Sequence, residues 1–234
     1  MPKQAAPKML DLSQFASLDD AVEKVKPGDR YANIGGLLLG REGMGLTMPV
    51  LFFFSMISRC EGLHQAIARE IGKENPHAVF PLLRAFAESV TLLIYVVDHP
   101  KYIDVLTDRE RNLPKGGPKR KKMQALIAYA TPQASGLKNV YAELSEATHF
   151  GSLAMWASMR VENTDNPPEG TIGTFSWSSG PRWKSDEQGL IASAMTLELA
   201  EASDFYLRRF AVRHLGVGPD DAADHQPDTD AAAS

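Results

Sequence analysis

Three observations in the sequence predict an all-α protein: a helical bundle of four long and two shorter helices with a small β-hairpin appended. Apolar residues recur at three- and four-residue spacing through four long segments, residues 49–71, 76–98, 137–157 and 186–214. Capping residues, prolines and glycines punctuate these segments. Strand-like alternation is confined to residues 158–163 and 171–178.

In chain order, residues 1–14 carry two prolines and scattered lysines without a period, and are expected to be a flexible N-terminus. A single helical domain is expected over residues 15–215. It opens with a short helix, residues 18–25, with Ser17 as N-cap and Asp19 and Asp20 in the first turn, where the helix dipole favours acids. Pro27-Gly28-Asp29 ends it. Gly35, Gly36, Gly40, Gly43 and Gly45 then predict a turn-rich loop. They do not form a phosphate loop, because the Gly-Lys-Ser/Thr ending and a preceding strand are missing.

The first long helix has Pro49 at its start and Gly72 past its end. Its apolar stripe includes Val50, Phe53, Ile57, Cys60, Ile67 and Ile71, interrupted by Glu61 and His64. The second, residues 76–98, is apolar on nearly every face and is the expected centre of the bundle. Its one polar stripe is Arg84, Glu88, Thr91 and Tyr95. A third helix is expected over residues 101–111. Pro114 to Pro118 then form a loop that leads the basic run Lys119-Arg120-Lys121-Lys122 into a helix, residues 119–129. Residues 137–157 are helical, with Tyr141, Ser145 and His149 one turn apart along one face. Gly151 and Ala154 narrow the second half of that helix. The two alternating segments carry Val161, Ile172, Phe175 and Trp177. Ser185 and Gln188 make a capping box for the last helix. Its expected stripe is Ile191, Met195, Ala202 and Phe205, with Glu198 inside it. Residues 216–234 are expected to be a disordered acidic tail.

The chain carries a formal net charge of −4, and five aspartates lie in residues 216–234. Taking those five charges from the net −4 leaves residues 1–215 at +1, so no global basic field points to nucleic acid. The single cysteine excludes an intramolecular disulfide and a cysteine-based zinc site. The first ten residues lack the apolar core of a signal peptide. Uninterrupted apolar runs fall short of the ~20 residues that span a bilayer. A cytoplasmic protein without membrane partners is expected, and no cofactor motif is read.

Glu61, His64, Arg84, Glu88 and Glu198 are expected to face inward, where buried charges need partners. One outcome is a structural network. A second is a carboxylate-bridged metal site, because such bundles use Glu-x-x-His pairs from two helices and Glu from two others. Glu61-x-x-His64 and Glu146-x-x-His149 have that spacing, as does Glu74-x-x-His77, which spans a proline break and is set aside; Glu88 and Glu198 complete the set. Roughly 0.4 such spacings are expected by chance from the His and Glu counts, so the pattern warrants a test. A cysteine nucleophile is not expected, because Cys60 lies on an apolar stripe. A third outcome is a non-catalytic interaction module, with the hairpin and its tryptophans as the contact surface.

The helix with Leu83-Arg84-Ala85-Phe86-Ala87-Glu88, followed by one with Tyr141, Leu144, Ser145 and His149, resembles an uncharacterised bacterial and phage family. That family has an Arg-x-x-x-Glu helix and a Tyr-x-x-Leu-Ser-x-x-x-His helix, and is similar to HEPN-type helical bundles. The resemblance covers residues 50–155. It implies a bundle, often dimeric, that binds RNA or nucleotide. It also implies metal-independent RNase activity of the toxin or phage-defence kind. Arg84, Glu88, Ser145 and His149 would share the catalytic site, and Lys119, Arg120, Lys121 and Lys122 would contact nucleic acid. The Arg-x(4–6)-His pair of many HEPN RNases is not met at His149, where Ala142, Glu143 and Leu144 occupy the positions for arginine. Arg59 to His64 and Arg209 to His214 have that spacing instead.

Overall fold

The computed structural model describes residues 10–39, 45–107, 119–134, 136–148, 159–162, 169, 174–177 and 180–223. These residues are mostly helical, as the all-α reading expects. The helices are α1 (Leu18–Lys24), α2 (Arg30–Gly36), α3 (Met48–Ile71), α4 (Pro76–Asp98), α5 (Tyr102–Thr107), α6 (Met123–Ala130), α7 (Leu137–Thr148), α8 (Asp186–His214) and α9 (Pro219–Ala223). Two four-residue strands, β1 (Met159–Glu162) and β2 (Thr174–Trp177), pair antiparallel with Met159 opposite Trp177.

The helix starts follow local chemistry. The Ser17 side chain accepts the Asp20 N–H, Thr47 accepts Val50 N–H, and Asn75 accepts Ala78 N–H. At α8 the Ser185 hydroxyl accepts the Gln188 N–H, but the Gln188 side chain reaches Lys184 N–H at 3.0 Å rather than closing the box on Ser185. Pro49 and Pro76 occupy first-turn positions, where a missing N–H costs nothing.

The core is built on α4, which packs against α3, α6, α7 and α8, while α8 also packs along α3. Leu83, Phe86, Leu93 and Ile94 of α4 are wholly buried. Phe210 of α8 stacks with Phe53 of α3 at 6.3 Å and tilts against Phe52 at 5.4 Å. By length and composition α4 is apolar enough to cross a membrane, although its uninterrupted apolar runs are short. More than half of its most apolar window is buried against the other helices.

The structure corrects several expectations. Gly35 and Gly36 end α2 rather than forming a loop, and Ile34 and Tyr31 of that helix are buried. The basic run Lys119–Lys122 precedes α6 instead of opening it, with Lys122 at the N-cap. Residues 10–14 are held: Leu10 N–H donates to Glu198, and Asp11 caps a 3-10 helix, Leu12–Gln14. At the other end, Val217 is buried and the Arg208 guanidinium donates to the Ala222 carbonyl at 3.1 Å, so the folded part extends past residue 215.

The apolar stripe of α8 is also rotated from the expected one. Phe205 is exposed and Ile191 and Ala202 are partly exposed, while Ala192, Met195, Leu199, Leu207 and Phe210 are buried. Ser193 and Thr196 are buried too, each hydroxyl donating to the carbonyl four residues back, at 2.9 and 2.7 Å. Such internal bonds satisfy the hydroxyls without a neighbour, so these residues bury at little cost. Gly189 lets α1 approach: a Cβ there would fall 2.6 Å from Leu18 Cδ1 and 3.1 Å from Trp183 Nε1. Expectations for residues 1–9, Gly40, Gly43, residues 108–118, His149, Gly151, Ala154, Ile172 and residues 224–234 lie outside the described residues, as do the side chains of Val161, Phe175 and Trp177.

Candidate functional site

The seam between α4 and α7 collects three polar side chains. Arg84 and Glu88 are one turn apart on α4, and the Arg84 Nε donates to Glu88 Oε1 at 3.2 Å. Tyr141 enters from α7. Its hydroxyl accepts from Arg84 Nη2 at 3.2 Å and donates to the same Glu88 oxygen at 2.9 Å. The guanidinium carbon lies 5.3 Å from the Tyr141 ring centroid, within cation–π range. Burial works against the Arg84 charge. The Tyr141 and Glu88 contacts outweigh it and hold the guanidinium pKa above its ordinary value. With side chains 20% and 30% exposed, Arg84 and Glu88 are half-buried rather than sealed in.

Ser145 is one turn further along α7, half-buried, and its hydroxyl donates to the Tyr141 carbonyl at 2.7 Å. His149 lies outside the described residues. The structure therefore brings Arg84 and Glu88 together, adds Tyr141 to them and places Ser145 on the same helix as Tyr141.

The metal set does not converge. Among the described residues no group of three His, Cys, Asp or Glu side chains comes close enough to hold an ion. Glu61 is partly exposed and accepts from Gln65 at 3.0 Å. His64 is almost wholly buried, and both ring nitrogens are used: Nε2 faces the Val25 carbonyl at 2.7 Å and Nδ1 faces the Tyr31 hydroxyl at 3.2 Å. A carbonyl can only accept, so Nε2 carries the proton and Tyr31 donates to Nδ1. Burial lowers the His64 pKa to about 4, against the raising effect of the Val25 bond, so the ring is neutral. Glu88 is committed to Arg84 and Tyr141, Glu146 is exposed, and Glu198 receives the Leu10 N–H. Burial raises the Glu198 pKa despite that N–H.

In the Arg59-x4-His64 spacing the two side chains go to different partners. Arg59 donates to Ser89 at 2.8 Å, while His64 points to Val25 and Tyr31. His214 donates its Nε2–H to the Val97 carbonyl at 2.8 Å. Cys60 is buried, which pushes its thiol up to about 12.

Sequence reasoning missed an aromatic cluster at the C-terminal end of α4. Tyr95 and His99 stack at 4.2 Å, and Tyr102 and Tyr129 stand edge-on to Tyr95 at 5.0 and 5.1 Å. Lys121 is tied to it twice: its backbone N–H donates to the Tyr102 hydroxyl at 2.7 Å, and its ammonium lies 5.5 Å from the Tyr95 ring centroid. Lys119, Arg120, Lys121 and Lys122 are all exposed. The i, i+4 spacing of Tyr95 and His99 was the signal the sequence offered for it.

No family model, curated protein or solved structure matches the chain.

Proposed function

We propose that this chain is a HEPN-like cytoplasmic protein, a helical bundle with a β-hairpin, that binds nucleic acid or nucleotide and acts as an RNase of the toxin or phage-defence kind. Its phosphate-recognition centre is the α4–α7 seam. The observation that carries this reading is the Arg84 guanidinium, kept half-buried with its plane set by Glu88 and Tyr141. A cation held in place before the ligand arrives stabilises developing phosphate charge without reorganising. Glu88 and Tyr141 are positioning residues for it. His149 is the proton-transfer group in this reading, and Ser145, between it and Tyr141 in the sequence, supplies a hydroxyl. Lys119–Lys122 contact the nucleic acid backbone. Dimerisation belongs to the same reading, and the molar mass in solution tests it.

The experiment compares cleavage of a labelled RNA by wild type, His149→Ala and Arg84→Ala, alongside binding of a labelled nucleotide. Loss of about 10²-fold or more in rate is expected for each variant. Cleavage unchanged in His149→Ala removes the RNase mechanism. Nucleotide and RNA binding unchanged in Arg84→Ala removes the α4–α7 seam as the recognition centre.

A further inference from the structure

We propose that the C-terminal end of α4 is a base-stacking platform for single-stranded nucleic acid, with the pinned run Lys119–Lys122 contacting its phosphates. The inference rests on reading the chain as a nucleic-acid binder, and it names the ligand form and the residues that grip it.

His99 is exposed and lies flat on buried Tyr95, with an interplanar angle of 5°. Tyr129 stands edge-on to His99 at 5.0 Å and fixes its ring from the side. The His99 Nδ1 faces the Tyr95 carbonyl at 3.1 Å, which sets the ring plane. Tyr95 covers one face of the ring, and His99 as a whole is exposed. An exposed flat ring braced from behind is what an unpaired base stacks on, whatever its identity.

The charges around it favour a polyanion. The Tyr102–Lys121 hydrogen bond and the Lys121–Tyr95 contact hold Lys121 beside the rings, and Lys119, Arg120 and Lys122, all exposed, adjoin it in the chain. Asp98, the acid of the cluster, is occupied by Arg213 at 2.6 Å and by the Tyr129 hydroxyl at 2.9 Å. Its charge is thereby balanced by a cation of its own, which leaves Lys121 free of it.

The platform and the Arg84 seam lie on one side of α4. Arg84, Glu88, Tyr95 and His99 fall within about one quadrant of the helix at ~100° per residue. At ~1.5 Å per residue, Tyr95 and His99 are roughly 16–22 Å from Arg84 along the axis. Bases kept stacked at the ~3.4 Å rise of a duplex cover that distance in about five to seven nucleotides. Thr91, between the two positions, is buried, so the strand crosses over α6 and α7, which pack on α4 and on each other.

The test is fluorescence anisotropy of the full chain with labelled oligo-adenylate, as RNA and as DNA, of three and ten nucleotides, and with a labelled adenine nucleotide. Wild type should bind the 10-mer more tightly than the 3-mer. His99→Ala should weaken 10-mer binding about 5- to 150-fold with the salt slope unchanged. His99→Phe, which keeps a stacking face, should hold affinity within about threefold, and this separates loss of stacking from misfolding. The Lys119→Ala/Lys122→Ala double variant should reduce the log–log salt slope by about 1.4. Wild-type 10-mer affinity in both His99→Ala and the lysine double variant overturns the platform. If that affinity falls only in Arg84→Ala, the platform is wrong and the seam stands. Nucleotide binding that depends on Arg84 without any polynucleotide binding likewise removes the platform and leaves the seam. If no probe binds, both readings fall.

Discussion

The Tyr141 hydroxyl donates to Glu88 Oε1 at 2.9 Å, linking α7 to the polar stripe of α4. The same oxygen receives the Arg84 Nε, and Arg84 Nη2 donates back to Tyr141. Three half-buried groups thus satisfy one another across 57 residues of chain.

Tyr141→Phe removes a donor and an acceptor from this triangle while keeping the ring. The expected cost is about 1–2 kcal/mol in urea unfolding, with the m-value unchanged. Anion binding that depends on Arg84 should weaken several-fold, because the guanidinium keeps its bond to Glu88 and loses the one to Tyr141.

His64 makes stability depend on acidity. Its folded pKa is lowered to about 4, below the value of 6.5 it has when unfolded. The unfolded chain therefore binds the proton first. The His64 contribution is complete above pH 6.5, falls as pH drops through that value, and is exhausted near pH 4. The loss across this window is about 3 kcal/mol. His64→Gln should flatten the corresponding part of a stability-versus-pH curve. An unchanged slope would show that another group carries the dependence.

Cys60 should be silent in the native protein. It is buried and its thiol is pushed up to about 12, so thiolate is scarce at neutral pH. A chromogenic disulfide reagent should titrate less than a tenth of the thiol in buffer and all of it in denaturant. Full reaction in buffer would mean that the α3 face around Cys60 opens readily.

Deletion of residues 216–234 should destabilise the chain. Val217 is buried, and α9 receives the Arg208 guanidinium through the Ala222 carbonyl. Losing the buried valine and that bond costs about 2 kcal/mol. A melting temperature unchanged by the deletion would show that α9 contributes nothing to the fold.

Much of the helix layout was readable because its cues are local. Ser17 and Ser185 cap where their hydrogen-bonding chemistry predicts, and Pro49 and Pro76 sit in first turns. The glycines of residues 30–36 misled, because turn preference and helix are both open to glycine and the buried Tyr31 and Ile34 decide for helix. In α8 hydropathy misplaced the buried face. Ser193 and Thr196 bury because their own helix satisfies them, whereas Phe205 stays exposed.

By itself, the sequence determined an all-α protein centred on the helix of Arg84 and Glu88, with Cys60 inside and capped helix starts at Ser17 and Ser185. Periodicity and capping act over a few residues, so they are written in the local order of the chain. Only the tertiary structure decided which inward polar residues meet. It gave Glu88 to Tyr141, His64 to Val25 and Tyr31, and Glu198 to Leu10. It also built the Tyr95–His99–Tyr129 cluster beside Lys121. Those pairings depend on how helices distant in sequence rotate and slide when their apolar faces are buried together, and hydrogen bonds short enough to matter tolerate only small errors in that placement.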